Sequence, residues 1–474
     1  MKGYYLKFII SGLLVFGLFS CKPSLNQKIK AMANDGEISE IEFNDLLKYA
    51  SSDPKLQKYT DSKVLYNYIE SEFAKSIPPV KVWNPSPNIA SKSFNVNVYI
   101  ENSASIYGYV KENEMKNAVY EMLGNIKTAC DTLNLNYINN KVLSQVKNAQ
   151  LQDNKTFVLN LNPASFKKKG GNRDVTDMAE ILANVLSKTN EKNLSVLISD
   201  FVFSPGSGVD AEKYLNIQRI SIRDNLRDKL KTYKLAVAAY QMNAAFDGDY
   251  FDHNNKGEEY KGNRPYYIWL IGDEDEVKTL LAKQIIRNSD NGYLNKAAFV
   301  STKEISPTNY QIVKIEKTGN FSLSAGAEEI NRAVAQNGVF GFSIAVDFSN
   351  DLRDRTYFSD STNYVADDKN FTISARELTN EEKNSSDLTG YTHLITLTSK
   401  RLINQELHIK VISKLPSWIG ASNSINDSNI NENKSEQNKT FGLDYLMNGV
   451  IDAFNFYPDV EKNVISEFTI KINK

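Results

Sequence analysis

From Phe94 onward the apolar positions switch back and forth between two periods. Phe94–Ile100 alternates with period two, as a half-buried strand does. Residues 116–133 then set Val119, Met122, Leu123, Ile126, Cys130 and Leu133 on one helical face. Thr156–Leu161 alternates again, Met178, Ile181, Leu182, Val185 and Leu186 mark a second amphipathic helix, and Ser195–Ile198 reads as a short buried strand. A helix over 211–230 follows, then strands at Leu235–Tyr240 and Tyr266–Ile271, the latter running through Gly272-Asp273 into a helix near 274–286. Strands separated by helices predict an α/β domain over residues 93–330, with a doubly wound, mostly parallel sheet covered on both faces.

The flanking regions have other patterns. Residues 21–92 read as a polar tether and a helical segment, with Ser39 and Glu42 spaced as a capping box ahead of Phe43, Leu46 and Leu47. Ser76-Ile77-Pro78-Pro79 and Pro85-Ser86-Pro87 mark a linker. Gly36, Ile38 and Glu42 also match the second half of a calcium-binding loop. Ala31 and Ala33, however, stand where two oxygen ligands are needed, which leaves a capped helix. Beyond about residue 335 helices thin out, and Val339–Phe348, Asn370–Ala375, Thr392–Thr398 and Leu407–Ile412 predict a β-rich, sandwich-like domain over 331–474. Inside it Asn423–Lys439 is almost wholly polar and reads as a mobile loop. Phe441–Phe454 reads as a helix, and Phe468, Ile470 and Ile472 as a closing strand.

At the N-terminus Lys2 and Lys7 precede an apolar run from Phe8 to Phe19, the layout of a secretory signal over residues 1–20. The run ends in Leu18-Phe19-Ser20-Cys21, which resembles the lipobox of bacterial lipoproteins. That resemblance implies cleavage before Cys21, a lipid on the cysteine, and a membrane-anchored protein of the cell envelope outside the cytoplasm, with the outer membrane favoured over the inner. With Cys21 lipidated, Cys130 has no disulfide partner, and its helical register makes it a core residue. A formal net charge of -1, from 56 basic and 57 acidic residues spread along the chain, argues against nucleic acid as a partner. Three histidines without H-E-x-x-H or C-x-x-C spacing argue against a zinc site.

The first strand of the α/β domain ends in Glu101-Asn102-Ser103-Ala104-Ser105, at the carboxyl end where open sheets bind ligands. An acid-x-Ser-x-Ser run after an opening strand resembles the D-x-S-x-S motif of von Willebrand factor A-type domains, which hold a divalent cation at a metal-ion-dependent adhesion site. The resemblance assigns two later positions to Thr176, ahead of the helix at 178–187, and Asp200, which closes the strand Val196–Ser199. It covers roughly residues 93–300 and implies Mg²⁺ or Mn²⁺ held by Ser103, Ser105 and Thr176, with Glu101 and Asp200 acting mainly through water. A partner protein's carboxylate would complete the shell. The departure is Glu101 in place of aspartate, one methylene longer where octahedral geometry is tight.

Tyr107 and Tyr109 flank the motif, either as a binding rim or packed on the following helix. Arg264, within Tyr260–Tyr267, reads as a turn residue or a charge partner. A hydrolase using Ser103 or Ser105 lacks an evident base, and neither G-x-S-x-G nor a phosphate-cradling loop is present. Carbohydrate binding would call for exposed tryptophans, and Trp83, Trp269 and Trp418 are scattered. The expectation is a binding or scaffold lipoprotein with a protein partner, not an enzyme.

Overall fold

The computed structural model describes residues 24–53, 56, 59–60, 65–66, 68–69, 81–82, 94–171, 177–287, 290, 292–302, 308–324, 327, 329–385, 387–457, 460–461 and 463–474. The signal segment, Cys21, Pro78, Pro79, Pro85, Pro87 and Thr176 lie outside them. The chain forms two units, residues 1–91 and 92–474.

In the first unit Ser24 caps α1 (Leu25–Met32) and Ser39 caps α2 (Glu40–Ser51). Gln27 and Glu42 return a bond to the respective cap N–H, so the orphan donors of each first turn are satisfied. Leu25, Ile29, Phe43, Leu46, Leu65 and Ile69 form the core of this unit. Residues 31–42 run from the end of α1 through Gly36 (φ 87°) and a short strand at Glu37–Ile38 into the capped α2, and the alanines at 31 and 33 supply no side-chain oxygen.

The second unit opens with seven strands: β1 (Asn95–Glu101), β2 (Thr132–Ile138), β3 (Val142–Val146), β4 (Asn193–Ser199), β5 (Leu235–Phe251), β6 (Gly257–Asp273) and β7 (Tyr293–Val300). They form one sheet in the order β3-β2-β1-β4-β6-β5-β7. Only β2, β1 and β4 run parallel; the other neighbouring pairs are antiparallel. The expected mostly parallel sheet is therefore corrected to a mixed one. The cause is the β5–β6 hairpin, two 17-residue strands joined by Asp252–Lys256, because so short a connection cannot cross over to a parallel neighbour. Tyr260–Tyr267 lies inside β6 and is not a turn.

Helices cover both faces of this sheet. Val96, Val98 and Ile100 of β1 point into a core shared with α3 (Glu114–Lys127), α4 (Leu151–Leu159) and the helix at Glu274–Ala282. Tyr99 points the other way, into a core shared with α5 (Met178–Lys188), α6 (Ala211–Leu230) and a last helix at Leu443–Asn455. Of Thr156–Leu161, expected as a strand, Thr156–Leu159 is the last part of α4 and Asn160 caps it. A short apolar run does not separate the two periods, and Asp153 accepts the Gln150 N–H at 2.8 Å to start a helix that buries Phe157 and Val158. Cys130 is partly buried, and desolvation pushes its thiol up to about 11, as suits a packing residue.

Two further sheets stack as a sandwich. One orders Tyr310–Thr318, Phe340–Val346, His393–Ser399 and Phe371–Glu377; the other orders Asn320–Leu323, Glu329–Val334, Val464–Ile472, Gln405–Ile412 and Tyr364–Ala366. Ile344, Leu397, Ile409, Phe468 and Ile470 share its core. The β-rich C-terminal architecture is thus present, but it is interleaved with the α/β layers. Helix Leu443–Asn455 leaves the sandwich to pack on α6, where Arg219 pairs with Asp452 at 2.5 Å.

The closest approach of those two helices is at Gly449, where an added Cβ would lie 2.7 Å from the Arg219 carbonyl oxygen. Gly449→Val should therefore destabilise the protein by about 1–3 kcal/mol through overpacking. Gly124 sits inside α3 with nothing within 4 Å of an added Cβ, so Gly124→Ala should stabilise. The expected gain is about 0.5–1 kcal/mol. Denaturant midpoints at constant slope check both.

Candidate functional site

The chain leaves β1 for β2 on one side and later returns to β4 on the other side of β1. Such a reversal opens a crevice at the carboxyl ends of the strands, the usual ligand position in open sheets. Glu101 closes β1, and Asp200 follows the last residue of β4. Glu101, Ser103 and Asp200 are buried and Ser105 is half-buried. Ser103 Oγ and Ser105 Oγ lie 2.9 Å apart. Asp200 is hydrogen-bonded by the Ser105 hydroxyl and accepts the Val202 N–H at 3.3 Å. Glu101 accepts the hydroxyl of Ser199, whose oxygen in turn accepts the Phe201 N–H at 2.8 Å.

The fold thus places Glu101, Ser103, Ser105 and Asp200 on adjacent strand ends. Thr176 is outside the described residues; its neighbour Asp177 caps α5, accepting the Glu180 N–H at 2.9 Å. The extra methylene of Glu101 is taken up by reaching across to Ser199. Burial pushes the Asp200 carboxyl above the ordinary carboxylate range, while the bonds from Ser105 and Val202 and the charge of Arg264 pull it back.

Tyr109 is not a rim residue. It is 1% exposed, donates to the Pro265 carbonyl at 2.6 Å and packs edge-on against Phe246 and Tyr266. Its place in the core follows from Gly108, where a Cβ would come within 2.4 Å of the Phe246 ring, so only glycine lets the arm of β5 lie this close. Tyr107 is half-buried, edge-on to Phe166 at 6.0 Å with the Lys167 ammonium 5.8 Å over its ring.

A buried cation completes the surroundings. Arg264 is 1% exposed and its guanidinium carbon lies 4.4 Å over the Tyr250 ring. Its Nη1 donates to the carbonyls of Glu436 and Gln437 at 3.3 and 2.9 Å. Those carbonyls belong to the segment expected to be a mobile loop, which is instead an ordered strap. Asn423–Ser424 pairs with Thr440–Phe441 at its base, Ile430 is buried in the core of the sheet, and Asp427 is 1% exposed. Asp427 accepts Tyr250 Oη at 2.5 Å and the His253 N–H at 3.0 Å, with His253 Nδ1 at 2.7 Å. Composition misleads here because the strap is ordered by polar bonds and one anchoring apolar side chain. The period-two pattern Tyr260, Gly262, Arg264, Tyr266 could have shown that Arg264 faces inward.

The donor set can be tested against a divalent cation. Oxygens only, two carboxylates and two hydroxyls, suit Mg²⁺ or Mn²⁺. Adjacent ligands of an octahedron with ~2.1 Å metal–oxygen distances are separated by ~2.9–3.0 Å. The Ser103 and Ser105 hydroxyls are hydrogen-bonded to each other at 2.9 Å, a separation that adjacent ligands would also have. Glu101 and Asp200 carry two carboxylates against the single guanidinium of Arg264, which leaves an excess of acidic groups. Among the described residues no three His, Cys, Asp or Glu side chains form a metal-holding group, so the candidate depends on its hydroxyls. His253 is engaged elsewhere: its Nδ1 is on Asp427 and its Nε2 lies 3.0 Å from Asn254, so the acid–base group that Ser105 meets among the described residues is Asp200.

Removing Asp427 leaves Tyr250 and His253 without their shared acceptor. Asp427→Ala should lower stability by about 2–4 kcal/mol. It should also speed hydrogen exchange over residues 423–439 at least roughly tenfold, measured by mass spectrometry, with little change in the sandwich strands. In comparisons with known proteins, no family model, no curated protein and no solved structure matches this chain.

Proposed function

We propose that this chain is a lipid-anchored binding lipoprotein of the cell envelope. Its α/β domain, similar to von Willebrand factor A-type domains, uses Mg²⁺ or Mn²⁺ to hold a carboxylate of a protein partner. The observation that carries this reading is the Ser103–Ser105 hydroxyl pair, 2.9 Å apart at the switch point of the sheet, with the Glu101 and Asp200 carboxylates beside it. Ser103 and Ser105 are the direct ligands; Asp200 orients Ser105, and Glu101 is oriented by Ser199. Bound cation would supply a Lewis-acidic position for an incoming carboxylate. Half-buried Ser105 is the side of the site from which such a group approaches. Cys21 carries the anchor, and the residues up to 92 tether the binding domain to the membrane.

Calorimetry with MgCl₂ and MnCl₂ tests the reading. Ser103→Ala and Asp200→Ala should each weaken binding by roughly tenfold or more, the loss of one hard ligand or of the group orienting it. Absence of heat in the unsubstituted protein would sink the cation-assisted reading. Asp200 supports the cation in its ionised form, by accepting from Ser105 and from bound water, and it holds its proton to higher pH than an ordinary aspartate. Affinity should therefore fall as pH is lowered, starting above the ordinary carboxylate range.

The anchor has its own test. Cys21→Ala should abolish incorporation of radiolabelled palmitate and move the protein from the membrane to the soluble fraction.

A further inference from the structure

β7 is the outer strand of the seven-stranded sheet; β5 pairs with its inner edge, and among the described residues no strand pairs with its outer one. That outer edge forms one wall of a cleft of about 380 Å³, lined by every residue from 293 to 298. Side chains alternate between the two faces of a sheet. A cavity touching six consecutive residues therefore runs along the edge of the strand, where every second residue turns its N–H and C=O outward. The opposite wall comes from the sandwich side: Asp354, Thr356, Tyr357, Asp360, Lys414 and Trp418.

The charges of the cleft cancel. Lys296 lies 3.6 Å from Asp354, and Arg353 donates to both oxygens of Asp351 at 3.1 and 2.9 Å. Lys414 Nζ donates to the carbonyl and hydroxyl oxygens of Thr362 at 2.6 and 2.8 Å, and Asp360 accepts the Thr362 N–H and hydroxyl at 2.9 and 2.8 Å. Tyr293, Tyr357 and Trp418 offer amphipathic faces that suit an apolar or aromatic side chain.

We propose that this cleft takes a short, extended, uncharged peptide segment of a partner protein, which adds to β7 as an eighth strand. Main-chain bonds to a free edge supply affinity in this mode, and the aromatic wall selects side chains. An anionic ligand is disfavoured because each cation of the cleft already has oxygen partners, Lys296 on Asp354, Arg353 on Asp351 and Lys414 on Thr362. A second copy of the chain is disfavoured because its sheet edge would arrive with its own covering layers, which a cleft of about 380 Å³ does not admit. The site is separate from the Ser103–Ser105 constellation, and the proposal does not rest on the cation reading.

The test uses the full-length chain in detergent micelles and a phage-displayed octapeptide library. A selected peptide, synthesised with a fluorescein label, should bind with saturable anisotropy. Methylating its backbone nitrogens one at a time should weaken binding roughly tenfold at every second residue and little between, the signature of strand pairing. Thr356→Trp and Ser417→Trp, both at exposed positions across from β7, should each fill the cleft and weaken binding at least tenfold while thermal midpoints and the response to Ser103→Ala stay unchanged. Failure to select any peptide, a methylation profile without period two, or binding indifferent to both tryptophans would overturn the proposal. So would chitohexaose binding that either tryptophan abolishes in place of peptide binding, or a dimer in sedimentation that either tryptophan dissociates.

Discussion

The guanidinium of Arg264 is almost fully withdrawn from water, and a buried charge is tolerated only when its surroundings answer it. Much of the second unit is arranged to do so. Two strap carbonyls accept from Nη1, Tyr250 lies under the charge, and Asp200 acts on it from the end of β4. None of these groups is local to Arg264 in sequence. The long β5–β6 hairpin is needed to carry the arginine past the sheet, and the strap is needed to close over it. The ordered conformation of residues 423–439 follows from that demand, with Asp427 joining Tyr250 and His253 on the outer side.

This arrangement also shapes the candidate cation site. Asp200 is held between a hydroxyl ladder on one side and a fixed positive charge on the other, so its carboxyl is neither freely solvated nor ion-paired in the ordinary way. Glu101 shows a related adjustment. Its carboxylate accepts the hydroxyl of Ser199 on the neighbouring strand. This bond between β1 and β4 ties the two strand ends together.

The interleaving of the two halves has a similar physical origin. The face of the sheet carrying Tyr99, Leu197 and Trp269 needs a third covering helix beyond α5 and α6, and the chain supplies it only after passing through most of the sandwich. Gly449 lets that helix approach α6 closely, and the Arg219–Asp452 pair flanks the contact. The cleft beside β7 lies where strand and sandwich walls meet, so it is a product of the same chain path.

Local periodicity by itself determined the helices at 178–188, 211–230 and 443–455, the strands β1 and β4, the capping box at Ser39 and the β-rich character of the C-terminal half, because each depends on residues close in sequence. That Glu101, Ser103, Ser105 and Asp200 fall at neighbouring strand ends was legible for the same reason, since the pattern already located those strands. The helix expected over 116–133 ends at Lys127, which leaves Cys130 beyond it and puts Leu133 in β2. Strand direction was not legible, since residues 241–265 carry no period strong enough to show one hairpin in place of two separate strands. Nor were Thr156–Leu161, whose short apolar run fits either period, and Tyr109, whose burial depends on the Phe246 ring reaching Gly108 from more than a hundred residues away. Only the tertiary structure decided which groups answer the charge of Arg264, that the polar strap is ordered, and that β7 faces a cleft. Each is a long-range pairing of charge, hydrogen bond or edge, and such pairings leave no periodic trace along the chain.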